Sequence, residues 1–190
     1  MRYKQTHLEN RIQSPLIKRA KAWHPASWEQ IIPWISERIS QDPTETAVLV
    51  TPQYTCEELE ALYTFFALKK RIQNIYHSID TQEAADPTIV DELLLRRDKN
   101  PNSWGHLAVA KRHRLEHNNL ARFHQDLKAG EWKTLIVFAP EDPESTPDFL
   151  TWVKPSESIQ TKIVIGTQQV HAIPLFDAAL PTLDAALRRA

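Results

Sequence analysis

Three short, mainly apolar runs separated by helical patterns constrain the fold of this chain most strongly. They cover residues 47–50, 135–138 and 162–165, and a fourth short strand is expected over residues 74–76. Apolar runs bounded by turn residues are typical of strands buried on both faces of a parallel sheet. Because amphipathic helical patterns alternate with these strands, the sequence predicts an α/β fold: a three-layer, Rossmann-like sandwich with a mostly parallel sheet of about four strands.

Capping signals mark where two of the helices begin. Ser27 with Gln30, and Thr55 with Glu58, each match the pattern in which two residues three apart satisfy each other's backbone N–H groups. We therefore expect one helix from Ser27 to the Asp-Pro pair at residues 42–43, and a second helix after Thr55. Five apolar residues are predicted to form the inner face of the second helix: Leu59, Leu62, Phe65, Phe66 and Ile72.

The first residues of the chain differ in character from the rest. Residues 1–24 are basic and contain few periodic apolar positions, so they are predicted to form an N-terminal arm or an extended entry segment, and residues 25–190 a single α/β domain. Short helices are predicted over residues 89–96 and 145–153, and a terminal helix over residues 181–189. A chain of 190 residues, 42% of them hydrophobic, is large enough to bury one core.

Charge and cysteine content exclude several classes of protein. The formal net charge is -1, which gives no long-range field toward nucleic acid, so no nucleic-acid partner is expected. Cys56 is the only cysteine, which excludes an intrachain disulfide and any site built from several cysteines. The amino terminus lacks an apolar signal region, and no apolar run reaches the roughly 20 residues of a membrane span. The sequence predicts a cytoplasmic protein without direct membrane insertion, either free or peripheral on the inner face of the cytoplasmic membrane.

Glycine is scarce, and its positions bear on ligand binding. The three glycines are Gly105, Gly130 and Gly166, and none lies in a G-x-G-x-x-G or G-x-x-x-x-G-K-[ST] motif. Those loops need glycine because the backbone must approach the phosphate closely. The sequence therefore predicts a nucleotide-type fold without the usual phosphate grip. We expect no catalytic residue and no cofactor bound by this chain.

Four histidines lie along a helical pattern that follows Gly105 and ends at Gly130, a residue suited to a left-handed C-cap. They are His106, His113, His117 and His124, at spacings of seven, four and seven residues. On one continuous helix these spacings bring them near one face, and histidines four residues apart can share a zinc ion. The candidate metal ligands are His113, His117 and His124. However, no carboxylate or cysteine completes the set and neighbouring basic residues repel a cation, so a solvated helix face is the favoured interpretation.

An acidic cluster follows the third predicted strand. Glu141, Asp142 and Glu144 are expected at the carboxyl end of that strand, where doubly wound folds bind ligands. Carboxylates there could bind a ribose or a magnesium ion, so these three are the candidate cofactor-binding residues, although a solvated turn is their more common role. Cys56 is expected at the start of a helix, where the dipole can lower a thiol pKa. Without a histidine and an acid beside it, we interpret it as an incidental, buried residue rather than a nucleophile.

The chain is rich in tryptophan, and several of these residues fall near the ends of predicted elements. The six are Trp23, Trp28, Trp34, Trp104, Trp132 and Trp152. Amphipathic rings in such places either cover the edges of the domain's own core or anchor a partner surface. The sequence leaves both interpretations open.

The order of short motifs along the chain resembles the molybdopterin oxidoreductase superfamily. Residues 10–18 (NRIQSPLIK) and 26–32 (ASWEQII) are similar to the "NR…PL…R…SW-E-A" start of its domains. Residues 47–62 resemble the strand, "S…T-E-E" turn and helix that follow, and residues 74–77 (NIYH) resemble an "N-I-D-H" strand end. The first of these matches is common to the superfamily as a whole.

Further motifs are more specific: they resemble one family within the molybdopterin oxidoreductase superfamily, the G-type subunit of NADH-quinone oxidoreductase (respiratory complex I). Residues 94–105 (LLRRDKNPNSWG) are similar to its "L-x-R-A-D-K-N-P-N-x-x-G" segment. Residues 130–142 (GEWKTLIVFAPED) resemble its "G-x-I-K-A-L-Y-V-L-G-E-D", and residues 176–181 (FDAALP) its "A-D-V-V-L-P". The resemblance keeps the same order over almost the whole chain, from Asn10 to Pro181.

What this resemblance implies is a supporting role rather than catalysis. The cysteines of the family's amino-terminal iron–sulfur domains are absent, and residues 182–190 replace the family's usual continuation. The chain resembles either a cluster-free portion of such a subunit or a stand-alone, degenerate relative. The resemblance implies a cofactor-free structural or docking domain of a respiratory NADH:quinone oxidoreductase, whose partners are other domains or subunits of that complex. The alternatives are an oxidoreductase domain with a nucleotide or pterin at the strand ends, and an adaptor that binds an unrelated protein through its tryptophans.

Overall fold

The computed structural model describes residues 11–80, 98, 100–130, 132–140, 149, 154, 159–167 and 175–182. The strands within them are β1 (Leu16–Arg19), β2 (Ala22–Pro25), β3 (Thr46–Val50), β4 (Ile75–His77), β5 (Thr134–Phe138), β6 (Thr161–Gly166) and β7 (Ala178–Pro181). The helices are α1 (Trp28–Gln41), α2 (Cys56–Tyr63), α3 (Ser103–Arg112) and α4 (Leu120–Ala129), with a 3-10 turn at Pro43–Glu45 and a π-helical segment at Thr64–Lys69. Among these described helices, none is long and apolar enough to cross a membrane.

The described strands form one mixed sheet in the order β2-β1-β7-β6-β5-β3-β4. The five strands from β7 to β4 run parallel to one another, whereas β1 pairs antiparallel with both β2 and β7. The prediction of an α/β fold with a mostly parallel sheet is confirmed. The predicted count of about four strands is too low, because seven strands are present in the described residues.

Two of the additional strands come from the segment predicted as a basic arm. Strands β1 and β2 form a hairpin whose two-residue turn, Ala20 and Lys21, has positive φ angles of 49° and 69°. Such turns match the right-handed twist of the strands, but they usually carry Asn or Gly. Because neither residue type is present there, the local sequence contains no hairpin signal. Strands β1 and β2 thus extend the sheet beyond β7.

The remaining additional strand, β7, overlaps the start of the predicted terminal helix. It is parallel to β6, with Ile163 opposite Ala178 and Ile165 opposite Leu180. Asp177 fixes this register, because its carboxylate accepts a hydrogen bond from the Lys162 backbone N–H at 2.8 Å. Pro181 is therefore the last residue of a strand. Residues 183–189 of the predicted helix, like residues 89–96 and most of 145–153, lie outside the described part of the chain.

Alternate strand residues divide the core into two clusters on opposite faces of the sheet. Val48 and Ile136 belong to the cluster that also contains the buried faces of α1, α2 and α3. Leu49 and Val137 belong to the cluster that contains the buried face of α4. Because these side chains are fully or almost fully buried, each stabilises the fold by about 1.5–3 kcal/mol relative to an exposed position.

The helix ends follow the predicted signals. Thr55 accepts from the Glu58 N–H, and the Glu58 carboxylate accepts from the Thr55 N–H at 2.8 Å, which completes the predicted capping box. Ser27 donates its N–H to Gln30 Oε1 at 3.2 Å. Gly130 is the left-handed C-cap of α4, with φ at 76°. These local hydrogen bonds are set by neighbouring residues, which is why the sequence predicts them.

One prediction about α2 is wrong. The helical spacing predicts that Phe65 faces inward, but its side chain is 41% exposed, whereas Phe66 is buried. The cause is the π-helical segment Thr64–Lys69 that continues α2. A π-helix has more residues per turn than an α-helix, so it shifts the inward-facing positions by one residue.

The helical pattern between Gly105 and Gly130 is also not one continuous helix. Helix α3 ends at Arg112, and α4 begins at Leu120 after a turn in which Arg114 has a φ of 60°. No proline or glycine marks this break. The face shared by the four histidines therefore does not exist.

Candidate functional site

The order of the strands reverses between β3 and β5. The chain leaves β3 for β4 on one side, and then returns past β3 to place β5, β6 and β7 on the other side. In doubly wound folds, ligands bind at the carboxyl ends of the two strands that flank this switch point. The candidate site is therefore built from the loops that follow β3 and β5.

Protein hydrogen bonds already join these two strand ends. Thr51, just after β3, donates from both its N–H and its Oγ1 to the Phe138 carbonyl, at 3.3 and 3.0 Å. The Tyr54 hydroxyl donates to the Ala139 carbonyl at 3.5 Å, and its ring packs edge-on against Phe138. Because these groups are used within the fold, this part of the crevice offers few free donors to a ligand.

The turn that leads into α3 fixes this helix against the same loop. Asn102, the residue before α3, donates from its N–H to the Pro52 carbonyl at 3.2 Å. Its side-chain amide donates to the Tyr54 carbonyl at 2.7 Å. Asp98 organises the turn itself, since its carboxylate accepts from the Asn100 N–H and side-chain amide at 3.0 and 2.8 Å. The side chains of Asp98, Asn100 and Asn102 are thus bonded to protein backbone or to each other.

Gly105 brings α3 close to the start of α2. A Cβ at this position would overlap Asn102 Oδ1 and lie 2.5 Å from Cys56 Sγ. Only a residue without a side chain fits between Asn102 and Cys56 in this arrangement. Together with the Asn102 hydrogen bonds, this close approach makes the described residues between 98 and 105 a clasp between α3 and the β3–α2 loop, and we refer to them as the α3 clasp.

A buried polar layer lies beneath the α3 clasp. Tyr63 and His106 are joined through the Tyr63 hydroxyl and His106 Nε2, 3.0 Å apart, and the rings of His106 and His77 are 5.8 Å apart. His77 Nε2 donates to the Glu116 carbonyl at 3.0 Å. Each of these three side chains is fully buried, and Ser103 Oγ has no hydrogen-bond partner among the described residues.

Burial keeps both histidines of this layer neutral. Loss of hydration, followed by the nearby His77, lowers the pKa of His106 to about 3. Loss of hydration also lowers the pKa of His77, although the nearby backbone of Glu116 and Ile79 partly opposes this. Burial raises the pKa of the Tyr63 hydroxyl above its usual value. The two histidines stay uncharged and the tyrosine keeps its proton at neutral pH, so the layer suits a structural role.

The three candidate metal ligands do not come together. His113 contacts Glu60 through Nε2, 2.9 Å from Oε1, at the end of α3. The His117 side chain is 86% exposed in the turn between helices, and His124 lies on α4, where loss of hydration lowers its pKa. Within the described residues, no three His, Cys, Asp or Glu side chains are arranged to bind a metal ion.

The other predicted residues divide between described and undescribed segments. Glu141, Asp142 and Glu144 lie outside the described residues, as does Trp152. Cys56 is the first residue of α2, as expected, but it is exposed, so the interpretation of a buried thiol is wrong. The helix start leaves its side chain on the outside of α2, a placement that the residue type alone does not predict.

The tryptophans divide between core and surface. Trp132 is buried, with its ring stacked on Phe123 and tilted against Tyr76. Trp28 and Trp104 are exposed, by 46% and 62%. Trp132 therefore belongs to the domain's own core, whereas Trp28 and Trp104 are available to a partner surface.

An exposed groove runs along the outer face of α2 and the π-helical segment. It has a volume of about 730 Å³. We call it the α2 groove, and its lining residues are Cys56, Glu57, Glu60, Ala61, Thr64, Phe65, Lys69 and Arg112. Ala61 and Phe65 supply its apolar lining, Glu57 lies in the first turn of α2 and Lys69 at the end of the π-helical segment, an arrangement suited to binding an extended or helical protein segment.

Local sequence does not mark Asn102, Tyr63 or His77 as residues of the site. Asn102 is part of a matched motif, but its bonds to Pro52 and Tyr54 span about 50 residues of sequence, which no local pattern reports. A signal existed for His77, because a polar residue at the end of a buried strand requires a partner.

Comparison with known proteins gives no assignment. No protein-family model matches the chain, and no curated protein matches it. The likeness to the G-type subunit of NADH-quinone oxidoreductase therefore depends on the motif residues quoted above.

Proposed function

We propose that this chain is a structural and docking domain of a respiratory NADH:quinone oxidoreductase, equivalent to a cluster-free part of the G-type subunit that its sequence resembles. In this proposal the fold is a three-layer, Rossmann-like sandwich that has lost its ligand. Electron transfer is carried out by cofactors on other domains, and this domain positions them. As part of that complex, it lies peripherally on the cytoplasmic side of the membrane.

The observation that carries the proposal is that the polar side chains of the α3 clasp are hydrogen-bonded within the fold. Its DKNPN motif is the most specific point of the resemblance. Asn102 bonds to the loop after β3, Asp98 bonds to Asn100, and Gly105 allows α2 and α3 to approach. A motif whose polar groups are engaged within the fold supports a scaffold better than a ligand site.

The strand ends agree with the same interpretation. Thr51 and Tyr54 join the ends of β3 and β5 by hydrogen bonds, and the chain lacks the glycine-rich loop that a phosphate needs. A domain that retains the sheet but uses these polar groups within the fold can still supply rigid surfaces to neighbours. Exposed aromatic residues such as Trp104 and Phe65 supply the kind of surface that partner proteins bury.

Co-purification tests this proposal. The tagged chain, expressed in its own organism, should elute from size-exclusion chromatography together with the iron–sulfur subunits of an NADH:quinone oxidoreductase. The comparison variant is the tagged Asn102→Ala chain. It lacks the side-chain hydrogen bond to the Tyr54 carbonyl, so it should give a lower yield of the same complex. Elution of the wild-type chain without any subunit of that complex would contradict the proposal.

A second candidate is a nucleotide- or pterin-binding oxidoreductase domain, and the reversal of strand order at β3 and β5 favours it. Glu141 and Asp142 follow β5 closely in sequence and are its candidate contacts. A thermal-shift screen against nucleotides, flavins and pterins, with metal analysis, separates the two. A ligand at about 100 times its dissociation constant should stabilise the second candidate by about 2.7 kcal/mol and leave a scaffold unchanged.

A further inference from the structure

The π-helical segment, which contributes Phe65 to the α2 groove, carries two large apolar side chains that the fold leaves exposed. Phe65 is 41% exposed and Leu68 is 64% exposed, both in the π-helical segment. The segment shifts these two residues outward while Phe66 and Ala67 remain buried. A helix that contributes only to the core would not need two large apolar residues on its outer side.

Basic residues border one end of the α2 groove. Lys69 lines it, and Lys70 lies over the Phe65 ring at 5.6 Å, whereas Arg112 lines the groove beside α2. Arg112 is paired with Glu60 at 2.7 Å. Lys69 forms no ion pair with any described residue and is exposed, as is Arg71 close by in sequence. This end of the groove therefore has unbalanced positive charge next to exposed apolar surface.

The other end of the α2 groove is acidic, which restricts what can bind. Glu57 lies in the first turn of α2 and lines the groove, while the carboxylate of Glu60 is paired with Arg112. A flat anionic surface, such as a lipid bilayer, would meet Glu57 at the same time as Lys69. A narrow protein segment can instead place its own acidic residues against Lys69 alone and its apolar residues along the apolar lining.

We propose that the α2 groove is the docking site for a segment of a partner protein that carries an apolar anchor followed by acidic residues. The apolar anchor packs against Phe65 and Ala61, and the acidic residues lie against Lys69 and Lys70. This inference rests on the proposed docking function and names the surface that performs it. The charged end sets orientation and association rate, while the buried apolar contacts supply most of the affinity.

Binding to the purified NADH:quinone oxidoreductase of the same organism tests the surface. The test variants are Phe65→Ser and Lys69→Glu. The matched controls are Ile32→Ser, which changes an exposed apolar residue on α1, and Lys128→Glu, which reverses an exposed charge on α4. We expect each test variant to weaken binding about tenfold or more, and each control to bind within about twofold of the wild type.

A second measurement separates this inference from the proposed function. A photo-cross-linker on Cys56, the single thiol, reports from inside the α2 groove. The probes are two short helical peptides of the same apolar sequence, one flanked by glutamates and one by lysines, together with phosphatidylglycerol vesicles. We expect the glutamate peptide to cross-link, and the cross-link to be lost on Phe65→Ser.

Each outcome is decisive for the groove. If the complex binds but Phe65→Ser and Lys69→Glu bind like the wild type, the groove assignment is overturned while the proposed function stands. If the complex does not bind, the proposed function fails, and the peptides still decide the groove. Equal cross-linking of both peptides, no cross-linking of either, or binding of vesicles with the same sensitivity to Lys69→Glu would each overturn the inference.

Discussion

Replacing Gly105 by alanine tests whether the α3 clasp holds α3 against the β3–α2 loop. The new Cβ would overlap Asn102 Oδ1 and lie 2.5 Å from Cys56 Sγ. Asn102 is the neighbour that resists displacement, because its side-chain amide donates to the Tyr54 carbonyl, whereas the Cys56 side chain is exposed and less constrained.

The expected magnitude follows from opposing contributions. Gly105 lies inside α3 without a positive φ, so alanine gains about 1 kcal/mol of helix propensity there. Overpacking costs about 1–3 kcal/mol, and displacement of Asn102 from the Tyr54 carbonyl costs about 1 kcal/mol more. We therefore expect Gly105→Ala to lower the free energy of unfolding by about 1–3 kcal/mol.

Urea unfolding, followed by tryptophan fluorescence and circular dichroism, measures this change. Cys56→Ala in the Gly105→Ala background removes the Sγ atom and should recover part of the loss. That recovery, analysed as a double-mutant cycle, assigns the effect to the predicted overlap. A Gly105→Ala protein as stable as the wild type, or more stable, would refute the reasoning.

The buried histidine, the hairpin turn and the thiol each give a further expectation. The pKa of His106 is about 3 in the fold, below its ordinary value of 6.5. Because the unfolded state binds more protons in this window, the stability that is present above 6.5 is lost as the pH falls, by up to about 1.4 kcal/mol per pH unit. Urea titrations on both sides of pH 6.5 should show a smaller loss for His106→Gln, and an equal loss would contradict the assignment. Ala20→Asn combined with Lys21→Gly should raise the unfolding free energy by about 1 kcal/mol, since both residues have positive φ; a lower melting temperature would argue against the turn. Cys56 should react with a thiol reagent equally fast in the native and urea-unfolded protein, whereas strong protection in the native state would show that it is not exposed.

The parts of the fold that sequence predicts are those set by near neighbours. Strands β3 and β5 contain unbroken apolar runs, so their burial on both faces follows from composition alone. Thr55 with Glu58, and Gly130, are caps whose partners lie within one helical turn. These features depend little on the rest of the chain.

The parts that sequence does not predict depend on distant contacts or unmarked backbone geometry. The π-helical segment exposes Phe65 without any proline or glycine to signal it. Arg114 breaks the helical pattern with a positive φ that an arginine rarely adopts. Strand β1 is fixed by pairing with β7, about 160 residues away, so its local sequence does not indicate a strand.

The α3 clasp shows the same division at the candidate site. Its motif can be recognised within residues 98–105, where the resemblance is most specific. The bond from Asn102 to the loop after β3 depends on β3 and α3 lying side by side, which the motif alone does not show. The motif identifies residues 98–105 as a segment of interest, whereas the contact of Asn102 with the loop after β3 determines the structural role of that segment.

Native mass spectrometry of the chain isolated from its own organism tests the central claim most directly. We expect the chain in a particle with the iron–sulfur subunits of an NADH:quinone oxidoreductase, and we expect it to have, when released, the mass of the polypeptide alone. A free chain carrying a stoichiometric nucleotide, pterin, flavin or metal would contradict it.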